Sequence, residues 1–153
     1  MIERRITYSK DKSEVIHRLQ SGEDSTGPFS LIADVLVFAA ALGLKRNRRV
    51  RLMEPLAEPI RQSVFERQGY DTMMNLLTLH ADARPDVLAD TDEAIDARAR
   101  AFEEFANGGL EILIEEIRGA RDVLETVVLL VSAERQTTSG ELDAFDLSKL
   151  IPQ

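Results

Sequence analysis

The sequence predicts a mainly α protein, a compact helical domain with a small β-hairpin or edge ribbon. Three observations predict it. Long stretches repeat their apolar residues at helical spacing. Helix breakers are scarce, with five prolines and eight glycines in 153 residues. Only short runs near 3–8, 48–53 and 60–66 are β-prone. With 44% hydrophobic and 30% charged residues the chain is long enough to build a core without metal or disulfide staples. We assign one domain to residues 1–135 and a partly ordered tail to 136–153.

Taken in order, ERRITY at 3–8 reads as a short strand. Ser9 stands where an N-cap belongs, before a helix with Val15, Ile16 and Leu19 on one face. SGEDSTG at 21–27 reads as a loop. After Pro28 an almost wholly apolar run ends at Gly43, with Ser30 and Asp34 as its polar members, and this predicts the central helix. Residues 48–53 and 60–66 flank Pro55 and Pro59 and predict a hairpin or a pair of edge strands. From Tyr70 or Asp71 a helix runs to Arg84–Pro85 with Met73, Leu76, Leu77 and His80 as its stripe. Thr91, followed by Asp92 and Glu93, caps a helix that turns Ile95, Phe102, Phe105 and Ala106 inward, and the interruptions at Gly108–Gly109 and at Gly119 leave open one kinked helix or two or three in succession.

Composition excludes several classes. Without cysteine there is no disulfide, thiolate nucleophile or Fe–S cluster, which suits a reducing cytoplasm. The N-terminus lacks the apolar core of a signal peptide, and no charge-free apolar run approaches the ~18 residues of a membrane span. We therefore expect a cytoplasmic chain with no membrane association. The net charge of −8 speaks against general coating of DNA, yet Lys45, Arg46, Arg48, Arg49 and Arg51 give segment 45–51 a charge of +5. Such a cluster either grips a polyanion such as DNA through its guanidinium forks or neutralises the protein's own acidic helices.

Reactive groups are sparse. Glu14 and His17 have the spacing of a di-iron half-site, but that site needs a second copy, so a solvated helix face accounts for them. His80 reads as a core-edge or interface imidazole. The adjacent pairs Glu103/Glu104 and Glu115/Glu116 point about 100° apart on a helix and read as solvated faces. Asp34 either lies on an exposed edge or pairs with an arginine of 45–51 or with a partner. No nucleophile elbow, phosphate loop or dinucleotide fingerprint is present. We expect no catalytic residue, no metal and no cofactor. The order of basic strand, helix, loop and helix also admits a ribbon-helix-helix dimer, with Arg5 and Thr7 facing bases.

Three stretches carry a family resemblance: GPFSLIADVLVFAAALGLKRNRR at 27–49, EPLAEPIRQSVF at 54–65 and AFEEFANGGLEIL at 101–113. Together they resemble Dnd system-associated protein 4, a small family accompanying bacterial DNA phosphorothioation clusters, over roughly 27–115. The resemblance implies an intracellular protein of an anti-phage modification and restriction system and implies no enzyme activity. It marks Phe38 to Gly43 and Phe102 to Leu110 as structural signatures, with Phe105, Gly108 and Gly109 shaping a helix junction. The expected function is a non-catalytic accessory or adaptor protein. It docks to larger modification or restriction subunits and touches DNA, if at all, through 45–51. A dimeric DNA-binding regulator is the alternative, and the apolar run 127–131 is long enough to bury against a second copy.

Overall fold

The computed structural model describes residues 3–56 and 58–143, with the side chains of 138–143 left aside. The chain forms β1 (Arg5–Ile6), a 3-10 turn at Lys10–Lys12, α1 (Ser13–Leu19), β2 (Ser21–Gly22), β3 (Ser25–Thr26) and α2 (Ile32–Lys45). After these come β4 (Ile60–Arg61), α3 (Gln62–Arg67), α4 (Tyr70–Asp82), a second 3-10 turn at Pro85–Leu88, α5 (Asp92–Ile117) and α6 (Val123–Asp143). It is mainly α, with two small antiparallel sheets. Helix α6 continues through residue 135, where the domain was expected to end. The rest of the expected tail, 144–153, lies outside the described residues.

Helix α5 is the axis of the fold. Its 26 residues span about 39 Å. Thr91 caps it as expected, its hydroxyl accepting from the Ala94 amide at 3.2 Å. The buried side chains Phe102, Phe105, Ala106, Leu110, Leu113 and Ile117 follow helical spacing along it. Of the alternatives left open, α5 runs through Gly108–Gly109 as one helix, and the two glycines admit close backbone contacts with α2 and with the segment that follows it. A Cβ on Gly109 would lie 1.7 Å from the Ala39 carbonyl oxygen of α2, and one on Gly108 would lie 2.0 Å from that of Arg48. Gly43 plays the same part on α2, where a Cβ would lie 2.2 Å from the Phe105 carbonyl oxygen. Two backbones therefore approach where side chains would hold them apart, and burial on both sides of the glycine pair offsets its poor helix propensity. Gly119, at φ +72°, does turn the chain between α5 and α6.

Helix α2 is central as expected, but it ends at Lys45, two residues past Gly43. Its left-handed terminator is Asn47, at φ +53°. The Arg48 amide donates to the Gly43 carbonyl (2.7 Å) and the Asn47 amide to the Leu44 carbonyl (3.1 Å), the paired bonds of a Schellman ending.

The expected hairpin between 48–53 and 60–66 is absent. The Val50 amide and the carbonyls of Val50 and Arg51 are bound to α5, Gln62–Arg67 coils into α3, and of the two stretches only Ile60–Arg61 is strand. That strand pairs with β1 instead, Arg5 opposite Arg61 and Ile6 opposite Ile60, and an isolated bridge at Ser9–Pro55 prolongs the contact. The Ser9 hydroxyl accepts from the Met53 amide and caps no helix. The presumed loop at 21–27 closes as the β2–β3 hairpin.

Helix α4 buries Met74, Leu77 and Thr78, whereas Leu76 and His80 are exposed and Met73 is half-buried. The stripe expected from the apolar residues is thus rotated. Thr78 can sit inside because its hydroxyl donates to the Met74 carbonyl at 2.9 Å, leaving no unsatisfied polar group. Phe65 of α3 meets Phe102 edge-on at 5.5 Å, which ties this side of the molecule to α5.

Helix propensity alone would have Gly109→Ala stabilise the chain by about 1 kcal/mol. The backbone contact with Ala39 requires the opposite sign. We expect a loss of about 3 kcal/mol in urea unfolding, and a gain in stability would refute the glycine crossing.

Candidate functional site

The basic segment leaves α2 at the Asn47 turn and lies along α5. The Val50 amide donates to the Glu104 carbonyl (3.0 Å), and the Asn107 side-chain amide donates to the carbonyls of Val50 and Arg51 (3.3 Å each). This path brings its side chains over the acidic residues of α5 and α6. Lys45 and Arg46 both meet Glu134, with Lys45 Nζ at 3.2 Å and Arg46 Nη2 at 2.7 Å. Arg46 also reaches Glu116, at 3.5 Å, and Arg48 reaches Glu115, at 3.4 Å. Arg49 Nε donates to Glu104 Oε2 at 2.9 Å while its guanidinium stacks over the Phe105 ring, 5.4 Å from the centroid. Arg46, chiefly by hydrogen bonding, holds the Glu134 carboxyl below its usual range. Arg51 is exposed, with no ion-pair partner among the described residues.

Of the Glu103/Glu104 and Glu115/Glu116 pairs, Glu115 and Glu116 are exposed as expected, Glu104 is half-buried and Glu103 is buried. Three of them hold the basic segment, and Glu103 fixes the N-terminus. Glu103 is only 6% exposed. It accepts both terminal nitrogens of Arg4 (3.0 and 3.3 Å) and the Thr7 amide (3.3 Å). Arg4 Nε also donates to Asp96 at 2.9 Å. Burial pushes the Glu103 carboxyl up, and Arg4 pulls it back. The same cluster bears on the ribbon-helix-helix expectation. Thr7 is bound to Glu103 and to the Leu56 carbonyl, and β1 pairs with β4 of its own chain where that dimer needs a partner's strand.

Asp34 is half-buried and meets no arginine of 45–51 among the described residues. Its Oδ1 accepts from the Tyr70 hydroxyl at 2.6 Å and its Oδ2 from the Leu31 amide at 3.1 Å, so it caps α2 and docks α4. Phe105, Gly108 and Gly109 are buried within the continuous helix α5, on the side that faces α2 and the segment after it. Glu14 and His17 lie exposed on α1 and His80 on α4, and Glu14 and His80 border separate clefts. Among the described residues no three His, Cys, Asp or Glu side chains converge as a metal site. Nor does any helix of the described residues have the length and apolarity to cross a membrane.

Two apolar surfaces remain outside the core; sequence reading missed the first and anticipated the second in the apolar run 127–131. One is a cleft of about 450 Å³ between the end of α2 and α4, lined by Leu44, Met73, Leu76, Leu77, Leu79 and His80. The other is the outer side of α6, where Leu124, Val128, Leu129 and Val131 are exposed. The signal for the second was present, since five successive apolar residues at 127–131 cannot all face one core.

Because the folded Glu103 carboxyl lies above its ordinary value, its charge opposes folding at neutral pH, and that penalty fades as pH falls through the folded value. Arg4→Ala removes the counter-charge. We expect a loss of about 3 kcal/mol in urea unfolding at pH 7 and a smaller loss near pH 5. Equal losses at both would show that Glu103 does not carry the effect.

The model of one family, described as DNA sulphur modification system-associated protein 4, matches residues 5–150. Comparison with curated proteins and with solved structures found no match. The family match extends beyond the resembling stretches at both ends and covers nearly the whole chain, so this protein belongs to the DNA sulphur modification system-associated protein 4 family.

Proposed function

We propose that the protein is a non-catalytic accessory subunit, an adaptor that joins larger modification or restriction proteins of a DNA phosphorothioation system with a role in phage defence. One observation carries this reading. Most of the clustered ionisable side chains engage one another within the chain, while large apolar side chains remain outside on α4 and α6. Apolar surface rimmed by charge is what a protein partner covers. The α2–α4 cleft suits an apolar side chain from such a subunit, with Leu76 at its lip and His80 as a polar edge.

Affinity capture from a native host is expected to recover a phosphorothioation or restriction subunit. Leu76→Asp should abolish that capture without altering the far-UV spectrum or the melting temperature, because Leu76 faces outward. Recovery of no such subunit by the unaltered chain would end this reading.

Arg51 supports a second reading, a dimeric regulator in contact with DNA. It is unpaired among the described residues, and Arg46, Arg48 and Arg49 each keep over a third of their side-chain surface in water. Titrating binding against salt in a gel-shift assay separates the two readings. Phosphate contacts give a steep dependence that replacing Arg48 and Arg49 by alanine flattens by ~1–2 units. Absence of a shift at low salt leaves the adaptor alone.

A further inference from the structure

Helix α6 attaches to the body along a narrow stripe. Val123, Val127 and Leu130 are buried, whereas Leu124, Val128, Leu129 and Val131 are exposed, Val128 to 54% and Leu129 to 62%. Leu124, Val128 and Val131 follow a four-then-three spacing, so they form one straight seam on the outer side of the helix, parallel to the buried stripe. A helix turn that is apolar on every side is built to be enclosed. Here the protein's own core encloses only part of it.

The charges beside the seam indicate what covers it. Glu125 flanks the seam next to Leu124, and Arg135 continues it one turn beyond Val131. Both are exposed, and neither has an ion-pair partner among the described residues. The two have opposite sign and lie ten residues apart on one helix. A two-fold axis between Val128 and Val131 sets a second α6 antiparallel to the first. It places Val128 against Val131 of the partner subunit and Glu125 beside Arg135 of the partner subunit. A parallel pairing would instead set like charges together.

We propose that the outer face of α6 is the isologous interface of a homodimer in which two copies pair antiparallel, with the Glu125–Arg135 contacts fixing the register. Next to the seam, between α6 and α2, lies an apolar cleft of about 360 Å³ lined in part by Phe38, Ala41, Leu42 and Leu130. It widens the surface that a second copy covers. A single helix pair buries less than the ~800 Å² per partner of a standard interface, so the association belongs to the weak, concentration-dependent class.

Sedimentation velocity of the purified full chain over a concentration series tests this without any other component, so its outcome is separate from that of the adaptor reading. The expected result is a rise from the 17.1 kDa of one chain towards twice that mass. Val128→Glu should raise the dissociation constant about thirtyfold or more with an unchanged far-UV spectrum. Arg135→Glu should weaken the dimer, and the double reversal Glu125→Arg with Arg135→Glu should restore it. A chain that sediments at single-chain mass throughout would overturn the proposal and leave the face to a different protein. A dimer indifferent to Val128→Glu, or one that the double reversal fails to rescue, would overturn it equally.

Discussion

Where α2 crosses α5, backbone lies against backbone, and most of the remaining architecture follows from that approach. Gly43, Gly108 and Gly109 contribute no side chain to the crossing, so carbonyl groups of one helix rest on the α-carbons of the other. Such proximity puts the residues that leave α2 directly onto the surface of α5. From there the Asn47 turn lays the chain flat, and the Asn107 amide holds it down. A wider crossing would lift 45–51 away from its carboxylates and detach the end of α2 from α6.

The electrostatics build on that contact. Seven cations and acids, Arg46, Arg48, Arg49, Glu104, Glu115, Glu116 and Glu134, are threaded through three consecutive surfaces, and Lys45 joins them through Glu134. Each exposed pair contributes little by itself, on the order of 0.5 kcal/mol. Those with Glu104, Glu115 and Glu116 hold the basic segment on α5, and those with Glu134 join it to α6, which also packs through the Val123–Val127–Leu130 stripe and is joined to α5 by the turn at Gly119. The N-terminal strand is held differently, by a buried carboxylate with a single guanidinium fork, where removal of one partner strands a charge out of water.

Helix positions were legible in the sequence because periodicity and caps are local: Thr91, the α1 face of Val15, Ile16 and Leu19, and the span of α4 all follow from neighbouring residues. Features decided by distant partners were not. Gly108–Gly109 resembles a break until the carbonyls of Ala39 and Arg48 are seen to occupy the vacated space. The β-prone run 48–53 forms no strand, its backbone groups going instead to Gly43, to Glu104 and Asn107 of α5 and to Ser9, and β1 finds its mate some 55 residues away in Ile60–Arg61. The basic cluster and the paired glutamates were each visible, but that they answer one another depends on the crossing.

The glycine crossing also makes the chain's freedom to vary uneven. Glutamate and arginine can trade places across the surface, or be lost, with small penalties that neighbours absorb. Positions 43, 108 and 109 accept nothing larger than hydrogen unless the backbone packed against them shifts. Descendants of this sequence can therefore repaint their exterior freely while these three sites stay fixed, so surfaces for new associates can arise without the frame being rebuilt.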